Sequence, residues 1–315
     1  MFSQLNADCQ GRISSYFGYL GLMNYRSTSK TNYNNIKLDF REFFIKKLLH
    51  FKVVPDKNLA EQFCDKLKET GAIVAGGFIL DILDGTSDSN DIDIYDLSVR
   101  DERSQDYRMS DWFNGFEDNT RLQFTKYLYQ ADFEVIQARL GPDTIIRPYV
   151  HKSLKSEIKE RFDIKDKGPL WEVLDYKQSK QIKHYVQIIP IFMEKGGIPQ
   201  FIKSTFDLEI CQNYFDGKRV YLKNINKLIK KFDYIKCNTK FFFSIYQDVK
   251  DKSEKTTMKR MEKYRARGFN IQYHPQYQEM KIEINNIVGN YDYGRKFDIW
   301  KHIATGEINL SKYDL

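Results

Sequence analysis

The spacing of apolar and polar residues over the first third of the chain predicts alternating helices and strands. Apolar side chains recur at helical spacing over 38–50 and 56–70, and again over 78–84. A continuous apolar run at 72–75 predicts a buried strand, and residues 90–95 alternate with the period of two that is typical of a strand. This mixture of elements indicates an α+β protein.

A long insertion interrupts the pattern, which then resumes. The insertion covers about 97–183 and is predicted to be mainly helical, with helices near 109–117, 119–131 and 151–161 and breaks at Arg147-Pro148 and Gly168-Pro169. Four further elements are predicted beyond it: a buried strand at 184–192, a short helix near 199–204, a strand at 205–210, and a strand at 219–222 after the hairpin signal Asp216-Gly217.

Three parts of the chain differ in composition. Residues 1–35 form a polar leader of weak periodicity, which we expect to be irregular. Residues 36–222 contain the predicted core together with the helical insertion at about 97–183. Residues 223–315 are basic and predicted to be a helix-rich C-terminal lobe, whose clearest element is a helix at 254–267.

Composition excludes several classes of protein. The 315 residues are 41% hydrophobic and 15% aromatic, enough to build a core rather than a disordered chain. The four cysteines show no Cys-x-x-Cys spacing, which argues against a zinc ribbon or a disulfide framework. The N-terminus lacks the features of a signal peptide, and no apolar run approaches the ~20 residues that span a bilayer. We expect a cytoplasmic protein without a membrane partner, and the sequence leaves its oligomeric state open.

Candidate chemistry concentrates between residues 76 and 94. Gly76 and Gly77 follow the apolar strand, and Asp91 and Asp93 alternate with isoleucines in the next strand. Residues i and i+2 of a strand point to the same face, so both carboxylates are expected to project together. Two like charges at that distance repel unless a cation neutralises them, and Mg²⁺ prefers such oxygen ligands. Asp96, just beyond the pair, is expected to be solvated.

This stretch resembles the signature of the DNA polymerase β-like nucleotidyltransferase superfamily. That signature combines a Gly-Gly or Gly-Ser turn with Asp-apolar-Asp after a gap, which here is the thirteen residues 78–90. The resemblance implies a small mixed β-sheet with flanking helices. It also implies that Gly76 and Gly77 hold a nucleoside triphosphate, and that Asp91, Asp93 and a third carboxylate hold two Mg²⁺ or Mn²⁺ ions. The implied reaction moves a nucleoside monophosphate to a hydroxyl of an RNA 3′ end, a protein or a small molecule.

The third carboxylate is expected on a neighbouring strand of the same sheet. Asp207 is preferred because it lies on the predicted strand 205–210 between Phe206 and Leu208. Glu209, two residues on, is the reserve candidate. Gln187, in the strand 184–192, does not replace a carboxylate in charge.

A second resemblance covers about residues 72–270. The chain is similar to uncharacterised nucleotidyltransferase-like proteins of large DNA viruses of amoebae and of fungi, which implies the host cytoplasm or the virion if the chain is viral. The matching residues are Gln187, Phe206, Asp207, Cys211, Asp216, Gly217, Lys263, Tyr264, Arg267, Gly268 and Phe269.

Basic residues near 255–267 are a weaker candidate site. Lys259, Lys263 and Arg267 are suited to contact phosphates of nucleotide or RNA, although most charge runs are solvated helix faces. The net charge of +7 is compatible with nucleic acid but does not require it. Two other hypotheses stay open beside the enzyme: a catalytically silent nucleotidyltransferase fold that binds RNA, nucleotide or a protein partner, and a structural or virion protein with a vestigial motif.

Overall fold

The structure is a computed structural model that mixes α-helices with a mixed β-sheet. It describes residues 18–36, 38–86, 89–97, 123–135, 139–140, 145–154, 160, 184–191, 197–235 and 250–273. The chain divides into two compact units: residues 1–201 with 211–222, and residues 202–210 with 223–315. None of the helices in these described ranges is long and apolar enough to cross a membrane.

In the described part of the first unit, four helices precede the sheet. They are α1 (Tyr19–Arg26), α2 (Lys30–Asn35), α3 (Phe40–His50) and α4 (Lys57–Thr70). The helical spacing predicted α3 and α4, and Asp56 caps α4 by accepting a hydrogen bond from Leu59 N at 2.9 Å. The described part of the leader is helical, in contrast to the irregular segment that the sequence predicts. Leu20 and Leu22 of α1 are buried within the first unit.

The predicted order of strand, glycine turn, helix and strand over residues 72–95 is confirmed. It consists of β1 (Ile73–Ala75), α5 (Gly77–Asp84) and β2 (Asp91–Leu97), and α1 packs against α5. The rest of the sheet comes from β3 (Phe133–Val135), β4 (Arg139–Leu140), β5 (Ile145–His151), β6 (Tyr185–Ile191), β7 (Tyr214–Phe215) and β8 (Val220–Tyr221). Their order is β3-β5-β6-β2-β1-β7-β8, with β4 beside β5. Among these strands, β2 and β6 pair in parallel, whereas the other pairs are antiparallel.

The part of the insertion that the structure describes contains strands that the sequence does not predict. The helix predicted at 119–131 is present as α6 (Gln123–Gln130), and the helix predicted at 109–117 lies outside the described residues. The helix predicted at 151–161 is wrong at its start, where the end of β5 is followed by a 3₁₀ turn at Lys152–Leu154. The strands β3, β4 and β5 were not expected. Pro148 predicts an interruption of regular secondary structure, yet it lies inside β5, opposite Gln187 of β6. The antiparallel pairing of β5 with both β3 and β6 outweighs this local signal.

An aromatic cluster fixes the helices on one side of the sheet. Phe44 of α3 is fully buried, with its ring centroid 4.6 Å from that of Phe215 and 5.5 Å from that of Phe78. Phe63 of α4 packs edge-on against Phe124 of α6 at 5.1 Å. These rings join the four helices α3, α4, α5 and α6 with β7 around one core.

The second unit carries its own small sheet. The boundary helix α7 (Gly197–Thr205) begins in the first unit and ends in the second, where it is followed by a 3₁₀ turn at Glu209–Cys211. Beyond these lie α8 (Ile225–Ile229), β9 (Phe232–Ile235), α9 (Lys250–Ala266) and β10 (Asn270–Tyr273). The helix predicted at 254–267 is confirmed as α9. The parallel pair β9–β10 is an addition to the helix-rich lobe that the sequence predicts.

Candidate functional site

Asp91 and Asp93 lie on β2, with β1 on one side and β6 on the other. Ile92 and Ile94 are fully buried, whereas both aspartates are half-buried. The two carboxylates therefore share the face of the sheet opposite to the isoleucines, as the period of two predicts. The strand places two negative charges side by side, where a cation would stabilise both.

The glycine turn adjoins these carboxylates through the pairing of β1 with β2. Ala75, the last residue of β1, is the register partner of Asp93, and the turn begins at the next residue. Gly76 has φ 86° and ψ −144°, a conformation open to glycine but strained for other residues. The helix α5 starts immediately afterwards at Gly77. Backbone N–H groups of a first helical turn attract anions, so a backbone suited to phosphate lies next to carboxylate oxygens suited to a metal ion.

Gln187 and Tyr185 extend the same polar face onto β6. The register pairs Asp91 with Tyr185 and Asp93 with Gln187, while Val186 between them is fully buried. The side-chain amide of Gln187 donates from Nε2 to Tyr185 Oη at 2.9 Å and to Asp91 Oδ2 at 3.4 Å. The strand next to the aspartates thus presents an amide beside the two carboxylates.

Asp81 is a buried carboxylate that sequence reasoning missed. It is fully buried on α5 and accepts hydrogen bonds from Thr86 Oγ1 at 3.0 Å, Ser89 N at 2.7 Å and Ser89 Oγ. These bonds anchor the polar segment that connects α5 to Asp91. Its signal in the sequence is an aspartate inside an otherwise apolar helix, between Leu80 and Ile82.

Asp96 is also buried, in contrast to the solvated position that the sequence suggests. Only 2% of its surface is exposed, and its Oδ2 accepts a hydrogen bond from Phe124 N at 3.3 Å at the start of α6. The carboxylate holds the first turn of α6, where a negative charge is stabilised by the helix dipole. A residue of the insertion thus provides the partner, which the local pattern around Asp96 does not reveal.

Asp207 does not lie on a strand, so the strand predicted at 205–210 is wrong. The helix α7 continues to Thr205, and a 3₁₀ turn occupies Glu209–Cys211, which leaves Asp207 in the bend between them. The alternation of apolar residues reflects burial of Leu208 and Ile210 in that bend. In the second unit, Asp207 forms an ion pair with Arg260 of α9. Its assignment as third metal ligand stays a prediction.

The reserve candidate Glu209 is engaged in a charged network of the second unit. Lys227 Nζ lies 2.8 Å from Glu209 Oε2 and 2.8 Å from Asp233 Oδ1, and Asn224 also donates to Glu209 at 3.3 Å. Burial lowers the pKa of Lys227, but hydrogen bonds to Asp233 and Glu209 outweigh it and raise the pKa above its usual value. The ammonium group therefore stays charged and holds Glu209 in place.

The three basic candidates differ in exposure. Lys259 and Lys263 are exposed on α9, so a phosphate contact by either stays a prediction. Arg267 is only 8% exposed, and its guanidinium lies 5.3 Å from the ring centroid of Tyr264. Because Arg267 packs inside the unit, its position favours a structural role over a phosphate contact.

The donor atoms around Asp91 suit a hard cation. Two carboxylates and a side-chain amide supply oxygens of the kind that Mg²⁺ and Mn²⁺ bind, with no soft thiolate or imidazole among them. Within the described ranges, no group of three or more His, Cys, Asp and Glu residues is arranged to hold a metal ion. The residues present therefore fit a divalent cation through two carboxylates rather than three.

Comparison with known proteins identifies one family. Residues 43–226, more than half of the chain, match the family described as Gad2, Gabija anti-defense 2 family protein. A search of curated proteins finds no match to the chain. The matched segment contains the glycine turn, Asp91, Asp93, Gln187 and Asp207, and it ends before α9.

Proposed function

Because this chain belongs to the Gad2, or Gabija anti-defense 2, family, we propose that it acts against the Gabija defence as a nucleotidyltransferase. The observation that supports this most is the register of β1 and β2. It places the Gly76-Gly77 turn directly after the partner of Asp93, so that a phosphate-binding backbone adjoins two carboxylates. This is the combination that the resemblance to the nucleotidyltransferase superfamily requires.

The proposed arrangement treats β1, α5 and β2 as the nucleotidyltransferase-like core. Gly76 and Gly77 allow the backbone to approach the triphosphate, and the N-terminus of α5 stabilises its negative charge. Asp91 and Asp93 would hold the divalent cation, Mg²⁺ or Mn²⁺, beside the triphosphate. When bound, such an ion supplies charge stabilisation to the attacking and leaving oxygens.

The proposed reaction is an in-line displacement at the α-phosphorus of a nucleoside triphosphate. A hydroxyl of the acceptor forms a new bond to that phosphorus, the bond to the bridging oxygen of the β-phosphate breaks, and pyrophosphate leaves. The hydroxyl proton passes to a carboxylate on β2 or to water. The acceptor is an RNA 3′ end, a protein or a small molecule, and the labelling experiment below identifies it.

The test is transfer of label from each α-labelled nucleoside triphosphate, with Mg²⁺ or Mn²⁺, in an extract of Gabija-carrying cells. Changing Asp91→Asn together with Asp93→Asn should lower transfer at least ~1000-fold, because charge stabilisation at the reacting phosphate is lost. The matched control is Asp65→Asn with Asp132→Asn, two exposed aspartates in surface ion pairs whose loss costs little. If the folded double variant still transferred label, Asp91 and Asp93 would not be the catalytic carboxylates.

Asp207 is tested separately as the predicted third ligand. Asp207→Asn should lower transfer at least ~100-fold if its charge is needed for the chemistry. The control is Arg260→Met, which removes the same ion pair but leaves the carboxylate in place. Equal activity of wild type and Asp207→Asn would remove Asp207 from the site, and equal losses in both variants would assign it a structural role.

A second candidate is a catalytically silent nucleotidyltransferase fold that acts by binding. The observation that favours it is Gln187, an amide on the strand beside Asp93, together with the cation partners of Asp207 and Glu209. This candidate predicts that the protein binds nucleotide, RNA or a protein partner but labels no acceptor. Calorimetric binding of a nucleoside triphosphate without transfer, under conditions that include all four nucleotides and both ions, would support it.

A further inference from the structure

Gln187 stands where it can act on Asp91 and on a bound ligand together. It lies beside the aspartates on β6, opposite Asp93 in the register, and only 9% of its surface is exposed. Its amide nitrogen uses both protons, one toward Tyr185 Oη at 2.9 Å and one toward Asp91 Oδ2 at 3.4 Å. The nitrogen therefore fixes the orientation of the amide and steadies Asp91.

The amide oxygen has a different role. Among the residues that the structure describes, no donor reaches Gln187 Oε1, although the nitrogen of the same amide is fully engaged. The oxygen is therefore left for water or for a ligand on this face of the sheet. An oxygen on the same face as Asp91 and Asp93 is suited to a cation, because amide carbonyls are hard ligands.

We propose that Gln187, in place of the Asp207 that the sequence predicts, occupies the third ligand position, so that the protein ligands carry two negative charges rather than three. Such a site binds a free divalent cation weakly and binds it firmly only together with a nucleoside triphosphate. This inference rests on the proposed nucleotide site at Asp91 and Asp93.

The physical basis is the number of charged ligands. Cation affinity in oxygen sites rises with the number of carboxylates, and a neutral amide contributes much less than a third negative charge. The phosphate oxygens of a nucleotide then supply the missing charge when the metal enters with its substrate. The arrangement also avoids a third carboxylate next to two others, which would repel them whenever no cation is bound.

The experiment measures Mn²⁺ binding by calorimetry, first without nucleotide and then with a non-hydrolysable nucleoside triphosphate. Wild type should bind Mn²⁺ weakly alone and at least ~10-fold more tightly with the nucleotide analogue present. Gln187→Glu should bind Mn²⁺ at least ~10-fold more tightly than wild type without nucleotide, and added Mn²⁺ should raise its melting temperature. The matched control is Gln200→Glu, which adds the same charge at an exposed position of α7 and should behave as wild type.

Each outcome decides the inference. Equal Mn²⁺ affinity of Gln187→Glu and wild type would overturn it, while a loss of binding in Asp91→Asn would leave the proposed site standing. If Asp91→Asn also has no effect on Mn²⁺ binding in either background, the proposed site itself is wrong. Should Gln187→Glu fail to fold, Gln187→Met keeps the length without the oxygen. It should then lower nucleotide-dependent Mn²⁺ binding ~10-fold, and unchanged binding would contradict the inference.

Discussion

Single residues of this protein show how buried charges are held. Asp81 and Asp233 are fully buried, and each accepts at least two hydrogen bonds from backbone or hydroxyl donors. Asp233 takes Ile210 N at 2.9 Å and Tyr234 N at 2.8 Å, in addition to Lys227. These bonds offset the cost of removing a carboxylate from water, so the two aspartates anchor the backbone segments around them.

A buried histidine predicts how stability depends on pH. His151 is 9% exposed, and burial lowers its pKa below the usual 6.5, while Ser153 N donates to its Nδ1 at 3.1 Å. The unfolded chain therefore binds more protons near pH 6 than the folded protein does. The free energy of unfolding should be intact above about pH 6.5 and fall as the pH drops below it.

The check is urea unfolding between pH 7 and pH 5 for wild type and His151→Gln. The variant should show a shallower loss of stability over this range, because it carries no group that must stay neutral when buried. His50→Gln, at an exposed position, controls for the loss of a histidine. Identical slopes for wild type and His151→Gln would contradict the prediction.

At the scale of elements, the β7–β8 hairpin is fitted to α4 through one glycine. Gly217 has φ 88°, and a Cβ atom there would lie 2.0 Å from the carbonyl oxygen of Cys64 and 2.9 Å from Lys68 N. The hairpin signal Asp216-Gly217 is confirmed, and Asp216 Oδ1 accepts hydrogen bonds from Lys218 N and Arg219 N. The turn residue serves both the hairpin conformation and its close approach to the helix.

Gly217→Ala should therefore lower the free energy of unfolding by about 3 kcal/mol or more, through strain at positive φ and a clash with backbone. The matched control is Gly71→Ala, where φ is 72° but a Cβ atom would meet open space. It should cost only about 1 kcal/mol. Urea unfolding monitored by circular dichroism measures both, and equal losses would show that the close approach to α4 does not matter.

At the scale of the whole molecule, the proposed transfer and the proposed action against Gabija should depend on the same residues. A chain with Asp91→Asn and Asp93→Asn should fold and be expressed normally, because both side chains are half-buried and the substitution keeps their shape. It should nevertheless lose its effect in Gabija-carrying cells, whereas the control with Asp65→Asn and Asp132→Asn should retain it.

The measurement is the strength of the Gabija defence in cells that express each variant at matched protein levels. Loss of the effect in step with loss of transfer would support an enzymatic action. An effect that survives the change at Asp91 and Asp93, together with absent transfer in vitro, would contradict it and favour action by binding.

The sequence by itself determined the β1–turn–α5–β2 motif, because periodicity, the glycine pair and the alternating aspartates are all local signals. It also predicted β6 and the helices α4 and α9. The sequence did not predict the strand β5, because Pro148 is accommodated there through pairing with strands that are distant in sequence. The bend at Asp207 depends likewise on the 3₁₀ turn and ion pair that follow from packing in the second unit.

Only the tertiary structure decided which side chains surround the aspartates. Asp91 and Gln187 are 96 residues apart in sequence, and their hydrogen bond exists because β2 and β6 pair in parallel. Periodicity reports which face of a strand is buried, but it carries no information on which strand lies next to it. The pair of carboxylates was thus readable from the chain alone, whereas the amide beside them is a product of the sheet order.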